Sequence, residues 1–144
     1  MLAIRSAPLR DLDVVTAHGI LQLRQEVFVV EQECPYLDLD GRDLEPGAVQ
    51  YWVEGPDGSV VATLRALREV SGETRLGRVA TARSARGQGL AAALVAAALE
   101  EAEGPVVLDA QTYLAPWYAG LGFVRDGEDF VEDGIPHVPM RLDR

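Results

Sequence analysis

Cysteine is almost missing: Cys34 stands alone in 144 residues, which excludes an internal disulfide and fits a reducing, cytoplasmic setting. No apolar run reaches the ~18 residues needed to cross a bilayer, and the first ten residues hold no signal-peptide core. Basic charge is scarce as well. Thirteen arginine and lysine positions face 23 aspartates and glutamates, for a net charge of −10. That balance argues against a nucleic-acid partner, whose footprint is a basic stripe. It suits cationic small molecules or peptides, although solubility accounts for it equally well. His18, His137 and Cys34 show no zinc-ligand spacing, so no metal is expected. What is present is ordinary for a globular chain, 48% hydrophobic and 25% charged, enough for one domain over residues 1–144.

Punctuation divides the chain clearly. Residues 2–6 read as a short strand closed by Pro8. Residues 9–30 carry apolar side chains at helical spacing (Leu12, Val15, Ile20, Leu23, Val27, Val30), with a break into two helices expected over residues 16–19. An acidic, proline-flanked loop covers residues 34–47. Residues 50–54 and 59–68 form a hairpin about Pro56-Asp57-Gly58, and residues 76–81 add a third strand. An alanine-rich helix runs from Ala91 to about Glu103, where Gly104-Pro105 stops it. A buried strand (106–110), a short helix (116–121) and two strands (123–131 and 138–142) complete the chain. This pattern predicts a mixed α/β sheet with helices on its faces.

The most informative segment is Arg86-Gly87-Gln88-Gly89-Leu90-Ala91, between the third strand and the alanine-rich helix. Glycine-bearing backbone opening a helix offers unpaired N–H groups at the positive end of the helix dipole, an anion site most often used for phosphate. Gly87-x-Gly89-x-x-Ala92, with Asp109 in the following strand, satisfies a dinucleotide fingerprint. Its context is wrong, however. Several residues separate the strand from Gly87, a β-meander precedes it, and too little chain follows Asp109 to complete a doubly wound sheet. A Walker A loop fails because no Gly-Lys-Ser/Thr follows.

The Arg-x-x-Gly-x-Ala run at Arg86 to Ala91, with the box Trp117-Tyr118-Ala119-Gly120-Leu121-Gly122-Phe123 one strand later, resembles the GNAT N-acetyltransferase family. Further runs are similar to its ElaA-like branch: Leu23-Arg24, Val27 to Gln32, Cys34-Pro35-Tyr36, Asp38 to Gly41 and Glu132 to His137. The resemblance implies a mostly antiparallel central sheet, helices on both faces, and a parallel strand pair that splays after Thr81 and after Ala110. It implies acetyl-coenzyme A as co-substrate and a primary amine of a small molecule or peptide as acceptor. The backbone of Val79, Ala80 and Thr81 would pair with the pantetheine arm. Gly87, Gln88, Gly89, Leu90 and Ala91 would hold the pyrophosphate, with Arg86 adding a charged contact. Gln111 stands where many members carry asparagine near the cofactor.

Tyr118 matches the family's general-acid position. For the base, His137, Glu31, Asp109 and a water chain all stay open, with His137 having the suitable ordinary pKa. Glu31 and Asp40 are the candidate acceptor-side residues. The Asp38 to Asp43 loop lacks the glycine and ligand positions of a calcium loop, leaving a capped turn or an acidic wall that attracts an amine. A Cys34–His137 nucleophilic pair is chemically conceivable, but direct attack on a thioester does not need it. A catalytically silent acyl-coenzyme A sensor is the alternative from another class, and the last strands could pair between two copies.

Overall fold

The computed structural model describes residues 2–144. Its frame is an eight-stranded sheet built from β1 (Ile4–Ala7), β2 (Val49–Glu54), β3 (Val60–Arg68), β4 (Thr74–Thr81), β5 (Val106–Gln111), β6 (Val124–Arg125), β7 (Phe130–Glu132) and β8 (Ile135–Leu142). The strand order is β1-β2-β3-β4-β5-β8-β6, with β7 also on β8. Every pairing is antiparallel except β4 with β5.

The helices cover both faces. On one, α2 (Leu90–Glu101) buries Leu94, Val95 and Ala98 against Tyr51, Val53, Ala62, Leu64, Leu76, Val106 and Leu108. Its alanines let the helix lie close to the sheet, and a buried leucine such as Leu94 contributes about 2–5 kcal/mol over alanine. The short helix α3 (Ala115–Gly120) packs on the same cluster through Tyr118. On the other face lies α1 (Val14–Arg24), capped by Asp13, which accepts from the Thr16 N–H at 2.8 Å.

The expected break at residues 16–19 does not occur. A Cβ on Gly19 would sit 3.0 Å from Val60 Cγ2, so the glycine brings α1 close to β3 instead of ending it. The helix changes character later, widening into a π-helix over Gln25–Glu31. The expected strand over 123–131 is likewise two pieces, β6 and β7. Asp126 N–H donates to the Pro139 carbonyl at 2.8 Å, so this edge of β8 faces the chain at Pro139. Proline has no N–H to return, and the ladder parts there. β8 itself starts at Ile135, three residues before the expected Val138.

The parallel pair also differs from expectation. β4 and β5 pair only at Thr74↔Val106 and Arg75↔Val107. They separate there, well before Thr81 and Ala110, and leave a long wedge. Within it β4 is bulged. Arg65 pairs with Gly77 and Thr63 with Ala80, so Leu64 faces both Arg78 and Val79. One extra residue reverses the facing of all that follows. Leu76 points into the α2 core, whereas Ala80, of the same parity, packs beneath α1 with Leu23 and Val27.

Candidate active site

The wedge opens into a cleft of about 520 Å³ lined by Leu76 to Val79 of β4 and Leu108 to Gln111 of β5. The glycine loop follows in the chain beyond the free end of β4, outside the residues that line this cleft. Gly87 and Gly89 have φ of +79° and +74°, and a Cβ on either would meet nothing within 4 Å. Glycine is required there by backbone conformation, and the space above it is open. Unlike α1, α2 has no side-chain cap, so the N–H groups of its first turn remain free for an anion. Gln88 is exposed beside them, and Leu90 packs partly on the core.

Arg86 is already engaged. Its two terminal nitrogens donate to the Glu31 carboxylate at 2.7 and 2.8 Å, and its Nε donates to the Thr81 carbonyl at 3.1 Å. Glu31 therefore closes the end of the π-helix onto the glycine loop, rather than standing free toward an acceptor. The guanidinium holds its carboxyl below the usual range. Val79 lines the cleft, while the Ala80 side chain is buried beneath α1.

Tyr118 also lines the cleft, 6% exposed, held edge-on between Trp117 and Phe123 with ring centroids at 4.8 and 6.0 Å. Burial pushes its hydroxyl up to about 12. Among the described residues nothing hydrogen-bonds that hydroxyl, so its proton is free for a ligand. Across the cleft, His137 stacks on Phe130 with centroids 5.6 Å apart. Its Nδ1 lies 2.7 Å from the Ile135 carbonyl oxygen. A carbonyl only accepts, so Nδ1 carries the proton and Nε2 keeps the lone pair in the neutral ring. Gln111 pairs with His137 in the β5–β8 register and donates to Gln32 Oε1 at 3.3 Å. Cys34 is buried and donates to the Asp133 carbonyl at 3.4 Å; no hydrogen bond joins it to His137 among the described residues.

The acidic loop holds a feature the sequence reading missed. Arg24, fully buried, donates to Asp43 at 2.7 Å and to Asp38 at 3.1 Å. Arg65 reaches Asp43 at 3.3 Å and Asp40 at 2.8 Å. Arg78 Nε stands 2.8 Å from Asp38, and Nη2 donates to Asp40 at 3.2 Å. The six groups close a ring in which each arginine bridges two aspartates. Asp40 also accepts from the Arg42 N–H at 3.0 Å, making the capped turn. An acidic wall at Asp40 is not what forms, since arginines on both sides neutralise it. Sequence did carry a signal: Arg65 alternates with buried Thr63 and Leu67, and Arg24 follows buried Ile20 by four residues, both charges on faces that ought to be apolar.

A family model described as an acetyltransferase (GNAT) domain matches residues 25–144. The UPF0039 protein Rv2851c of Mycobacterium tuberculosis is 51% identical over 142 residues, covering 96% of this chain and 91% of that protein. Protein ElaA of Escherichia coli is 36% identical over 137 residues, covering 90% and 89%. The crystal structure of Escherichia coli ElaA superposes with a TM-score of 0.90 at 33% identity, over 99% of this chain and all of that one. An acyl-CoA N-acyltransferase from Pseudomonas aeruginosa does so at 0.88 and 40%, over 99% of each.

Proposed function

Since the chain belongs to the GNAT acetyltransferase family, in its ElaA-like branch, we propose that it moves an acetyl group from acetyl-coenzyme A directly onto the primary amine of a small molecule or peptide. The observation that carries this reading is the β4–β5 wedge with the free Tyr118 hydroxyl in its wall, and an uncapped glycine-opened helix as the next long element after β4. The fit to a diphosphate is physical: two positive-φ glycines with open space over them and unpaired N–H groups at a helix start.

Acetyl-coenzyme A would supply an activated acyl carbon and a thiolate leaving group. The unpaired edge of β4 from Leu76 onward would hold the pantetheine arm as an added strand does. His137 Nε2 would take the proton that an ammonium must lose before its nitrogen can form the new C–N bond. Tyr118 Oη would hydrogen-bond the sulfur as the C–S bond breaks. The ammonium's first proton passes from His137 to solvent, and the second, shed by nitrogen as the C–N bond forms, reaches the thiolate through solvent so that coenzyme A leaves as the thiol.

A panel of polyamines, aminoglycosides, amino acids and peptides, assayed for acetyl-coenzyme A-dependent thiol release, tests the reading. Turnover with at least one amine is expected. Tight donor binding with silence across the panel would favour a sensor. In calorimetry, Gly89→Glu should abolish donor binding, because it puts bulk and negative charge where the diphosphate would lie. Retained affinity would remove the loop from the site.

A further inference from the structure

We propose that Asp38 and Asp40 are positioning residues for acyl transfer, acting through Arg78 to hold the β4 bulge in the shape that presents its backbone N–H to the reacting carbonyl; this rests on the transferase reading above. The observation that points there is a misplaced strain. Arg78 has φ of +53°, in the left-handed region that a residue with a Cβ rarely adopts in a strand. Its neighbour Gly77, which could take that conformation freely, is not in it. The strain therefore sits on the residue whose side chain can be held from outside.

Asp38 and Asp40 do the holding. The Arg78 guanidinium has Asp38 Oδ1 at 2.8 Å, the Asp38 carbonyl at 3.1 Å and Asp40 Oδ2 at 3.2 Å, and lies 5.3 Å over the ring of Tyr36. Tyr36 in turn donates to Asp38 at 2.8 Å. The two aspartates are themselves fixed by Arg24 and Arg65, which rise from α1 and β3. So the ring ties the acidic loop, the helix and the neighbouring strand to one backbone torsion. That torsion matters because the bulge lies in the unpaired part of β4, on the wall of the cleft. A bulge supplies one more N–H than its partner strand can accept. Such a donor gains most when it is fixed before charge develops on a substrate oxygen.

Substituting Arg78 separates backbone from side chain. Arg78→Gly adopts the left-handed conformation without help, whereas Arg78→Ala must pay for it unaided. The glycine variant is expected to keep at least about tenfold more turnover than the alanine variant. Equal turnover would overturn the proposal and leave Arg78 as an ordinary lining residue. Asp40→Asn should lower kcat about 10- to 100-fold with the donor KM changed less than about threefold. Val53→Ala opens a cavity in the α2-side core, away from the ring. It should lower Tm at least as much as Asp40→Asn yet leave kcat within about threefold. Loss of kcat in step with Tm in both variants would mean the ring is only structural. One measurement needs no acceptor. The Val79 amide resonance should differ between bound acetyl-coenzyme A and bound coenzyme A in the native chain, and the difference should shrink in Asp40→Asn. No difference in the native chain, with both ligands bound, overturns the proposal. No binding of either ligand would instead sink the transferase reading.

Discussion

A buried tyrosine at about 12 is a poor acid for a thiolate whose conjugate thiol ionises near 8.5. The gap exceeds three pKa units, roughly 5 kcal/mol against complete proton transfer. Burial raised Tyr118 by disfavouring its anion, and the same burial keeps the neutral hydroxyl intact throughout the working pH range. Its expected contribution is therefore a hydrogen bond to the developing negative sulfur. Tyr118→Phe should leave donor affinity unchanged and lower kcat by about 10- to 100-fold, the range for losing one such donor. The sign in pH follows from the raised value: Tyr118 stays protonated below about 12, so the native rate should show no alkaline fall from it between pH 7 and 10. A descending limb near the ordinary tyrosine value, absent in the phenylalanine variant, would mean that the hydroxyl ionises in the cycle.

At the scale of elements, the glycine loop and the π-helix meet through one ion pair. Glu31 puts a carboxylate beside a site that suits an anion, and it occupies both terminal nitrogens of Arg86. A diphosphate bound at the loop, as proposed, would compete with it. Glu31→Gln is thus expected to tighten coenzyme A binding a few-fold at about 0.05 M salt, with the gain fading near 0.5 M as screening grows. Weaker binding in calorimetry would show instead that the pair shapes the loop. This junction also marks how far the sequence could be read. The loop, its helix and the hairpin turn were legible because their signals are local: Asp57 accepts from the Ser59 N–H at 3.0 Å, and Gly58 takes φ of +85°. The π-helix was not, since it keeps the same apolar residues and alters only the winding. The bulge was hidden by Gly77, a natural suspect beside the true site of strain. The split of β6 from β7 depends on Pro139, on another strand. His137 and Tyr118 were legible as types, but that they line one cleft depends on β8 pairing with β5 and on α3 packing beneath the sheet.

Across the whole molecule, all 13 basic residues are arginine and none is lysine. A fork-shaped cation suits a ring in which each member must bridge two carboxylates, which an ammonium does less well. Four of the six groups, Arg24, Asp38, Asp43 and Arg65, are buried and leave little margin: removing one partner of a buried pair costs about 3–5 kcal/mol, because the other charge is stranded. The pH sign follows from the carboxylates. Arg65 and Arg78 hold Asp40 well below the ordinary range, and Arg24 and Arg65 lower Asp43. The unfolded chain thus binds these protons at higher pH than the folded one. Their stabilisation is fully present above the unfolded value near 4 and drains as pH falls through the folded values. Urea midpoints followed by circular dichroism should then hold steady from pH 7 to 5 and drop steeply below about 4. Because Asp43, Arg24 and Arg65 are buried, about 0.5 M salt should shift the neutral-pH midpoint little, whereas surface pairs such as Arg125–Asp129 would be screened. In Asp43→Asn the midpoint at pH 7 should be lower and the acid drop shallower, since one of the depressed carboxylates is gone. An unchanged acid slope in that variant would place the acid sensitivity outside the ring.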